Sequence, residues 1–315
     1  MYVLGPLLYI IYTSGIGALL TSCGLLHQLY ADDVQAYTHC PPNYAFMAVQ
    51  QMCRAMDASN RLLLNTSKTQ FIWLGGRRRL AGVDQNLIAE SFPHVVFLDS
   101  VRDLGIILDQ ELSFSPHVNQ LTRSCYYQLR QLRVVSRSLS HAAAATLIHA
   151  FVTSRLDHCC SILVGLPLVL TARLDRVLRS AARLIGRIPK CASVSAFMRD
   201  TLHWLPISQR ISYRIAALVW RCLLGCAPAY LRELCCPVSA MAGRRALRSS
   251  SGGELLVPRT TTSTRQRRAF SVVGPSIWNR LPLEIRLLPR INTAMFYKLL
   301  KSILYRRGWT GSASE

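Results

Sequence analysis

Acidic residues are scarce in this chain. Sixteen Asp and Glu stand against 37 Lys and Arg in 315 residues, a formal net charge of +21. Such a balance points to a polyanionic partner, nucleic acid or an anionic membrane, because phosphates gain from nearby cations and release counterions. Lysine is nearly missing too, with only Lys68, Lys190, Lys298 and Lys301. The positive charge is therefore almost all guanidinium, whose planar fork matches phosphate oxygens and stacks on bases. A disulfide framework is also lacking. The 11 cysteines are scattered, and Cys159-Cys160 and Cys235-Cys236 are adjacent pairs, unlike the spaced pairs of a small secreted scaffold. Reduced thiols in an intracellular protein, nuclear or cytoplasmic and not secreted, are the simpler reading. Cys222, Cys226, Cys235 and Cys236 match no standard zinc spacing, and Cys222 to Cys226 is the spacing of a helix core face.

No charged residue precedes Asp32, and residues 3–26 are largely apolar. That stretch is long enough to span a bilayer. It lacks the basic start and small-residue cleavage site of a signal peptide, and Gly5-Pro6, Gly15, Gly17 and Gly24 interrupt it. Hydropathy alone leaves a membrane anchor and a buried core element equally open; the motifs below favour the core.

Residues 7–20 predict a buried helix. Apolar, β-favouring residues flank Ala31-Asp32-Asp33 and predict a hairpin over 25–38. Phe46, Val49, Met52, Cys53, Met56 and Leu62 recur at helical spacing across 44–63. Residues 68–74 alternate like a strand, Arg77-Arg78-Arg79 follow in a basic turn, and 94–98 and 103–108 predict two more strands. From His117 the pattern is helical: 117–138, 141–156, 169–187, 193–202, 207–224 and 228–234. Ser140 is placed to cap the second of these. Leu174, Val177, Leu178 and Ala181 line one face of the third, with Arg173, Arg176, Arg179, Arg183 and Arg187 over the rest. This basic face fits either solvent or phosphate. Residues 239–268 predict a basic loop or hairpin carrying Arg244, Arg245, Arg248, Arg259, Arg265, Arg267 and Arg268, a candidate backbone-contact segment. An aromatic unit closes the chain at 269–307. No internal repeat is visible.

The chemistry centres on Tyr30-Ala31-Asp32-Asp33. Acidic pairs at turns are usually solvated loops. Here β-favouring residues enter and leave the turn, which would hold a carboxylate at a sheet edge. Hard cations such as Mg²⁺ are bound by one or two carboxylates plus substrate phosphates, and a pair of such ions stabilises both the attacking and the leaving oxygen in phosphoryl transfer.

These four residues resemble motif C of reverse transcriptases, and their neighbours follow that family's order. Val3-Leu4-Gly5-Pro6-Leu7-Leu8 is similar to the end of motif B, Leu64-Asn65-Thr66-Ser67-Lys68-Thr69 to motif D, and Asp103-Leu104-Gly105-Ile106, followed by Leu112-Ser113-Phe114 and His117, to the primer grip and entry to the thumb. The dialect is that of LINE-type, non-LTR retrotransposons, nearest the chicken-repeat-like clade. The resemblance continues through Ser154-Arg155-Leu156-Asp157, Val164-Gly165-Leu166-Pro167, Ala181-Ala182-Arg183-Leu184-Ile185, Leu202-His203-Trp204-Leu205-Pro206-Ile207, Ala227-Pro228-Ala229-Tyr230-Leu231, Arg268-Ala269-Phe270-Ser271-Val272 and Trp278-Asn279-Arg280-Leu281-Pro282.

The resemblance implies an α+β fold: a partial palm over 1–115, thumb-like helices over 116–165, a helical region over 166–238, the basic loop over 239–268 and a closing aromatic and basic unit over 269–315. It implies RNA-directed DNA synthesis, with Asp32 as a Mg²⁺ ligand, Asp33 as its partner and Lys68 as a proton donor to pyrophosphate. Gly5, Pro6, Leu7 and Tyr30 would shape the dNTP site. Leu104 and Gly105 would sit by the primer terminus. Arg77, Arg78 and Arg79 and the Arg-rich segment would contact an RNA template, a DNA primer or target DNA.

The departures matter as much. The family carries another essential aspartate, in motif A, upstream of motif B, whereas the first acidic residue here is Asp32. Met1-Tyr2 stand where motif B normally starts, and His158 and Cys160 where Tyr and Asn are expected, as in a decayed genomic copy. The expectation is a chain that is inactive alone and retains nucleic-acid binding. A nucleic-acid-binding remnant without catalysis is the nearest alternative, and an N-terminally membrane-anchored protein the next. A palm cut in this way is also expected to expose a sheet edge.

Overall fold

A computed structural model of the chain describes residues 4–58, 69–240, 252–260 and 264–309. It is mixed helix and strand, mostly helical, with two small antiparallel sheets among the described residues. The chain divides into two compact units, Met1–Ser113 and Phe114–Glu315. The segments expected at 116–165, 166–238 and 269–315 all fall within the second.

In the first unit, α1 (Leu4–Ser22) leads through a turn at Gly24 into the hairpin β1 (Leu26–Tyr30) and β2 (Asp33–Tyr37). The helix forms as expected, but it is not buried. Leu7, Leu8, Ile10, Ile11 and Tyr12 are all exposed. Only the C-terminal end packs, where Leu20 and Leu25 join Ala55 in a small cluster with Ile16, Cys23 and Met52. Two of the interrupting glycines have structural work. A Cβ on Gly17 would lie 2.9 Å from His27 Nε2, so β1 approaches the helix there. Gly24 takes a φ of +72°, and the Gln51 side chain donates to the Cys23 carbonyl beside it at 2.6 Å. Among the described residues no helix is long and apolar enough to cross a membrane.

After α2 (Ala45–Ala58), residue 71 makes a single parallel bridge to Phe97 in place of the strand expected over 68–74. Two short helices follow: α3 (Arg77–Leu80), where a basic turn was expected, and α4 (Gln85–Ser91), capped by the Asp84 side chain accepting from Leu87 N. Ala45, Val49, Cys53, Ile88 and Val95 form this unit's main core, sealed by Phe46, Phe71, Trp73, Phe92 and Phe97. Trp73 stacks on Phe97 at 4.8 Å. A second hairpin, β3 (Ser100–Asp103) and β4 (Ile106–Asp109), completes the unit slightly downstream of the expected strands.

In the second unit the helices are α5 (Ser115–Val135), α6 (His141–Ile148), α7 (Ser154–Asp157), α8 (Leu168–Gly186), α9 (Ile207–Leu223), α10 (Ala229–Arg232), α11 (Thr264–Arg268), α12 (Phe270–Asn279), α13 (Leu283–Arg286) and α14 (Thr293–Trp309). The helical spacing predicted from His117 onward reappears in them. Ser140 accepts from Ala143 N, the cap its position implies. Widened turns at His149–Thr153 and Phe197–Thr201 replace regular helix at two places. Leu170, Leu174, Val177, Leu178, Ala181 and Ile185 bury one stripe of α8, against which α5 and α6 pack. The other centre is aromatic: Trp220 stacks on Phe296 at 4.1 Å and 6°, with Trp278 beside both. Arg290 lies over Trp220 and Trp278 at 4.8 and 5.6 Å.

Candidate metal and nucleic-acid site

The acidic turn is a two-residue connection. Tyr30 pairs with Asp33 across the hairpin, so Ala31 and Asp32 form its tip, and Ala31 takes a φ of +52°. Strand periodicity puts Asp33 and Gln35 on one face of β2. The second hairpin turns just as tightly. Asp103 pairs with Ile106, and Leu104 and Gly105 between them both have positive φ, +44° and +85°. That is the signature of a type I′ turn, whose twist matches the flanking strands.

The two hairpins meet, the middle of β2 against the end of β3. The Gln35 amide donates to Asp103 Oδ1 at 2.6 Å, across 68 residues of sequence. Burial raises the Asp103 pKa above the usual carboxylate value, the Gln35 hydrogen bond lowers it, and the negative charge of Asp33 raises it again. Asp33 and Asp103, each flanking the turn of its hairpin, are thus within electrostatic reach of one another. The first hairpin is open: Leu26, Leu29, Tyr30, Val34 and Tyr37 are all exposed, and no further described strand pairs with it.

The donor set falls short of a full cation site. Among the described residues no group of three or more His, Cys, Asp or Glu side chains could hold a metal ion. Asp32 and Asp33 offer carboxylates at one turn, which suits one weakly held Mg²⁺ and not a bound pair. The other carboxylates nearby have local partners. Asp84 caps α4, Asp99 accepts from Gln110 and Asp109 from Ser113 N.

The other expected positions are scattered. Gly5, Pro6 and Leu7 lie in the first turns of α1, and Leu7 is exposed. Lys68 lies outside the described residues, as do Arg244, Arg245 and Arg248. Arg77, Arg78 and Arg79 are exposed together on the single turn of α3, and Arg77 touches Glu111 at 3.3 Å. The backbones of Arg265 and Arg267 belong to α11. Arg268 is held inside the fold: its guanidinium donates to the carbonyls of Val164 and Ile162 and lies over the Phe114 ring at 5.2 Å.

Arg268 is one of several. On α8, Arg173 donates to Asn119, Arg183 to the Ala192 carbonyl, and Arg187 to the carbonyls of Ser136, Arg137 and Leu139 at the end of α5. Arg210 makes two 3.0 Å hydrogen bonds to Asp157, donates to the Leu205 carbonyl and sits over Trp204. Asp175 accepts from Ile207 N at the start of α9; burial pushes its pKa up against that hydrogen bond and the charges of Arg179 and Arg210. Much of the arginine excess is therefore scaffolding. Sequence reading missed the Gln35–Asp103 link, because no local pattern announces a contact 68 residues away.

Comparison with protein-family models, with curated proteins and with solved structures returns no match.

Proposed function

We propose that residues 4–113 carry the motif C and primer-grip portion of a reverse-transcriptase palm, of the LINE type, and that the helical second unit serves as its thumb and C-terminal extension. The observation that supports this reading most is the contact of the two hairpins. The turn at Asp32-Asp33 resembles the metal-binding turn of such polymerases, and the turn at Leu104-Gly105 resembles the element that holds the primer end. Their hairpins lie far apart in sequence and are joined by the hydrogen bond from Gln35, in the middle of β2, to Asp103. A polymerase needs just these two elements side by side, since the primer's 3′ oxygen must reach the metal.

With only the Asp32-Asp33 carboxylates, this chain by itself does not extend a primer. It keeps salt-dependent binding to primer–template, in part through the exposed Arg77, Arg78 and Arg79. The test is primer extension on poly(rA)/oligo(dT) with dTTP and Mg²⁺ or Mn²⁺, beside Asp32→Ala, together with a binding titration on the same hybrid. Binding without extension is the expected result. Extension that disappears in Asp32→Ala would overturn the inactivity and leave the polymerase reading standing. Failure to bind the hybrid at low salt would sink the polymerase reading.

A further inference from the structure

We propose that a groove between α9 and α14 binds one unpaired base and the two phosphates beside it in a single-stranded nucleic acid. This rests on the nucleic-acid reading above but concerns a site in the other unit. The groove is shallow and open to solvent, offers about 370 Å³, and is lined by Tyr213, Arg214, Ala217, Leu218, Arg221 and Tyr297. No acidic residue lines it. Arg214 and Arg221 lie seven residues apart on α9, two turns or about 10.5 Å along the helix. Both are exposed, and neither makes an ion pair or side-chain hydrogen bond with any described residue. This sets them apart from Arg187, Arg210 and Arg268, whose donors are engaged inside the fold.

Ala217 lies between the two arginines on α9 and carries only a methyl group, and the half-buried Tyr213 and Tyr297 bring rings 6.4 Å apart and tilted by 43° to the same groove. Every base has a π face, so a tyrosine platform accepts bases with little sequence preference, while arginines on either side take the backbone. A tyrosine ring stacks on a base only where the face of that base is free, and in a duplex both faces are covered by the neighbouring base pairs. The chemistry selects single strands.

The test is fluorescence polarisation with labelled 12-mers of oligo(U) and oligo(dT), a duplex of equal length and phosphatidylserine vesicles. It compares the native chain with Arg214→Gln/Arg221→Gln, Tyr297→Leu and Tyr297→Phe, each checked by circular dichroism. The paired arginine variant should weaken single-strand binding about tenfold or more and lower the salt slope by about 1.4. Tyr297→Leu should weaken it about tenfold while leaving duplex binding in place, and Tyr297→Phe, which keeps the ring, should restore it. A 4-thiouridine oligonucleotide should crosslink to peptides containing residues 213 or 297. Native binding that all three variants retain overturns the groove and leaves the polymerase reading intact. Binding to vesicles but to no oligonucleotide overturns the groove in favour of a membrane surface, and with the hybrid titration above it would overturn both readings.

Discussion

The two units carry different kinds of information. Met1–Ser113 places the carboxylates Asp32, Asp33 and Asp103 on two-stranded hairpins, the first of which has exposed apolar side chains. In Phe114–Glu315 the distinctive strings of the sequence build structure. Asp157 pairs with Arg210, which also lies over Trp204. Trp278 donates to the Gly253 carbonyl, and Asn279 both donates to and accepts from the Leu255 backbone at 2.8 Å. Distinctive sequence is thus no guide to reactivity here. In one unit it marks exposed turns with carboxylates; in the other it marks side chains that satisfy backbone groups.

The sharpest way to test this contrast is to remove a carboxylate from each unit. Arg210 and Asp157 have side chains only 12 % and 25 % exposed. Asp157→Ala strands a guanidinium among Trp204, Leu205 and Asp157's former place, and should destabilise the second unit by about 3–5 kcal/mol. Asp32→Ala removes an exposed carboxylate at a hairpin tip and should stay within about 0.5 kcal/mol. Urea titrations followed by circular dichroism compare the two. Equal losses would erase the distinction between scaffold and site.

Asn279→Ala comes next. It deletes both hydrogen bonds that hold Leu255, a buried residue otherwise bridged only to Pro237. The backbone N–H and C=O of Leu255 would be left without partners away from bulk water, and a loss of about 2 kcal/mol is expected. The same titration checks it. Little or no loss would mean that the string Trp278-Asn279-Arg280-Leu281-Pro282 owes its form to something other than this clamp.

Local pattern made much of the fold legible and left its assembly hidden. The acidic hairpin was readable because apolar, β-favouring residues bracket Asp32-Asp33, and the second-unit helices because Leu174, Val177, Leu178 and Ala181 repeat at helical spacing. Burial was less readable. The described part of the apolar run over 3–26 is mostly exposed, since only its C-terminal end, Ile16, Leu20, Cys23 and Leu25, packs against described residues, and hydropathy reports what a segment could bury rather than what covers it. Charge was ambiguous in the same way. Arg268 was expected to contact nucleic acid and Arg187 fitted either solvent or phosphate, and both side chains donate to carbonyls dozens of residues distant. The strand expected from residue 68 became one bridge at Phe71, where ring packing of Phe71 and Trp73 on Phe97 takes the place of a ladder.

Within the first unit, Gly105→Ala tests how closely the second turn is specified. A φ of +85° is open to glycine and strained for alanine. The substitution should cost about 1 kcal/mol and raise amide exchange across 100–109 and, through Gln35, across 26–37. Exchange that rises in one hairpin alone would show that the two turns are not coupled.

The smallest effect expected concerns the charge at that coupling. Asp103 titrates above the ordinary carboxylate value because it is partly buried and faces Asp33, the Gln35 hydrogen bond notwithstanding. A carboxyl group whose pKa is raised by folding is easier to bury protonated. Its contribution is fully present below the unfolded pKa of about 3.9 and is lost as pH rises through the folded value. Asp103→Asn keeps an acceptor for Gln35 and removes the titration. Relative to the native chain, the variant should therefore gain protection across 100–109 as pH rises from 3 to 7, with no gain at the acid end. Amide exchange at matched chemical rates reads this directly. A gain at pH 3 that shrinks toward pH 7 would reverse the sign, and would mean that the Gln35 hydrogen bond outweighs burial and the Asp33 charge.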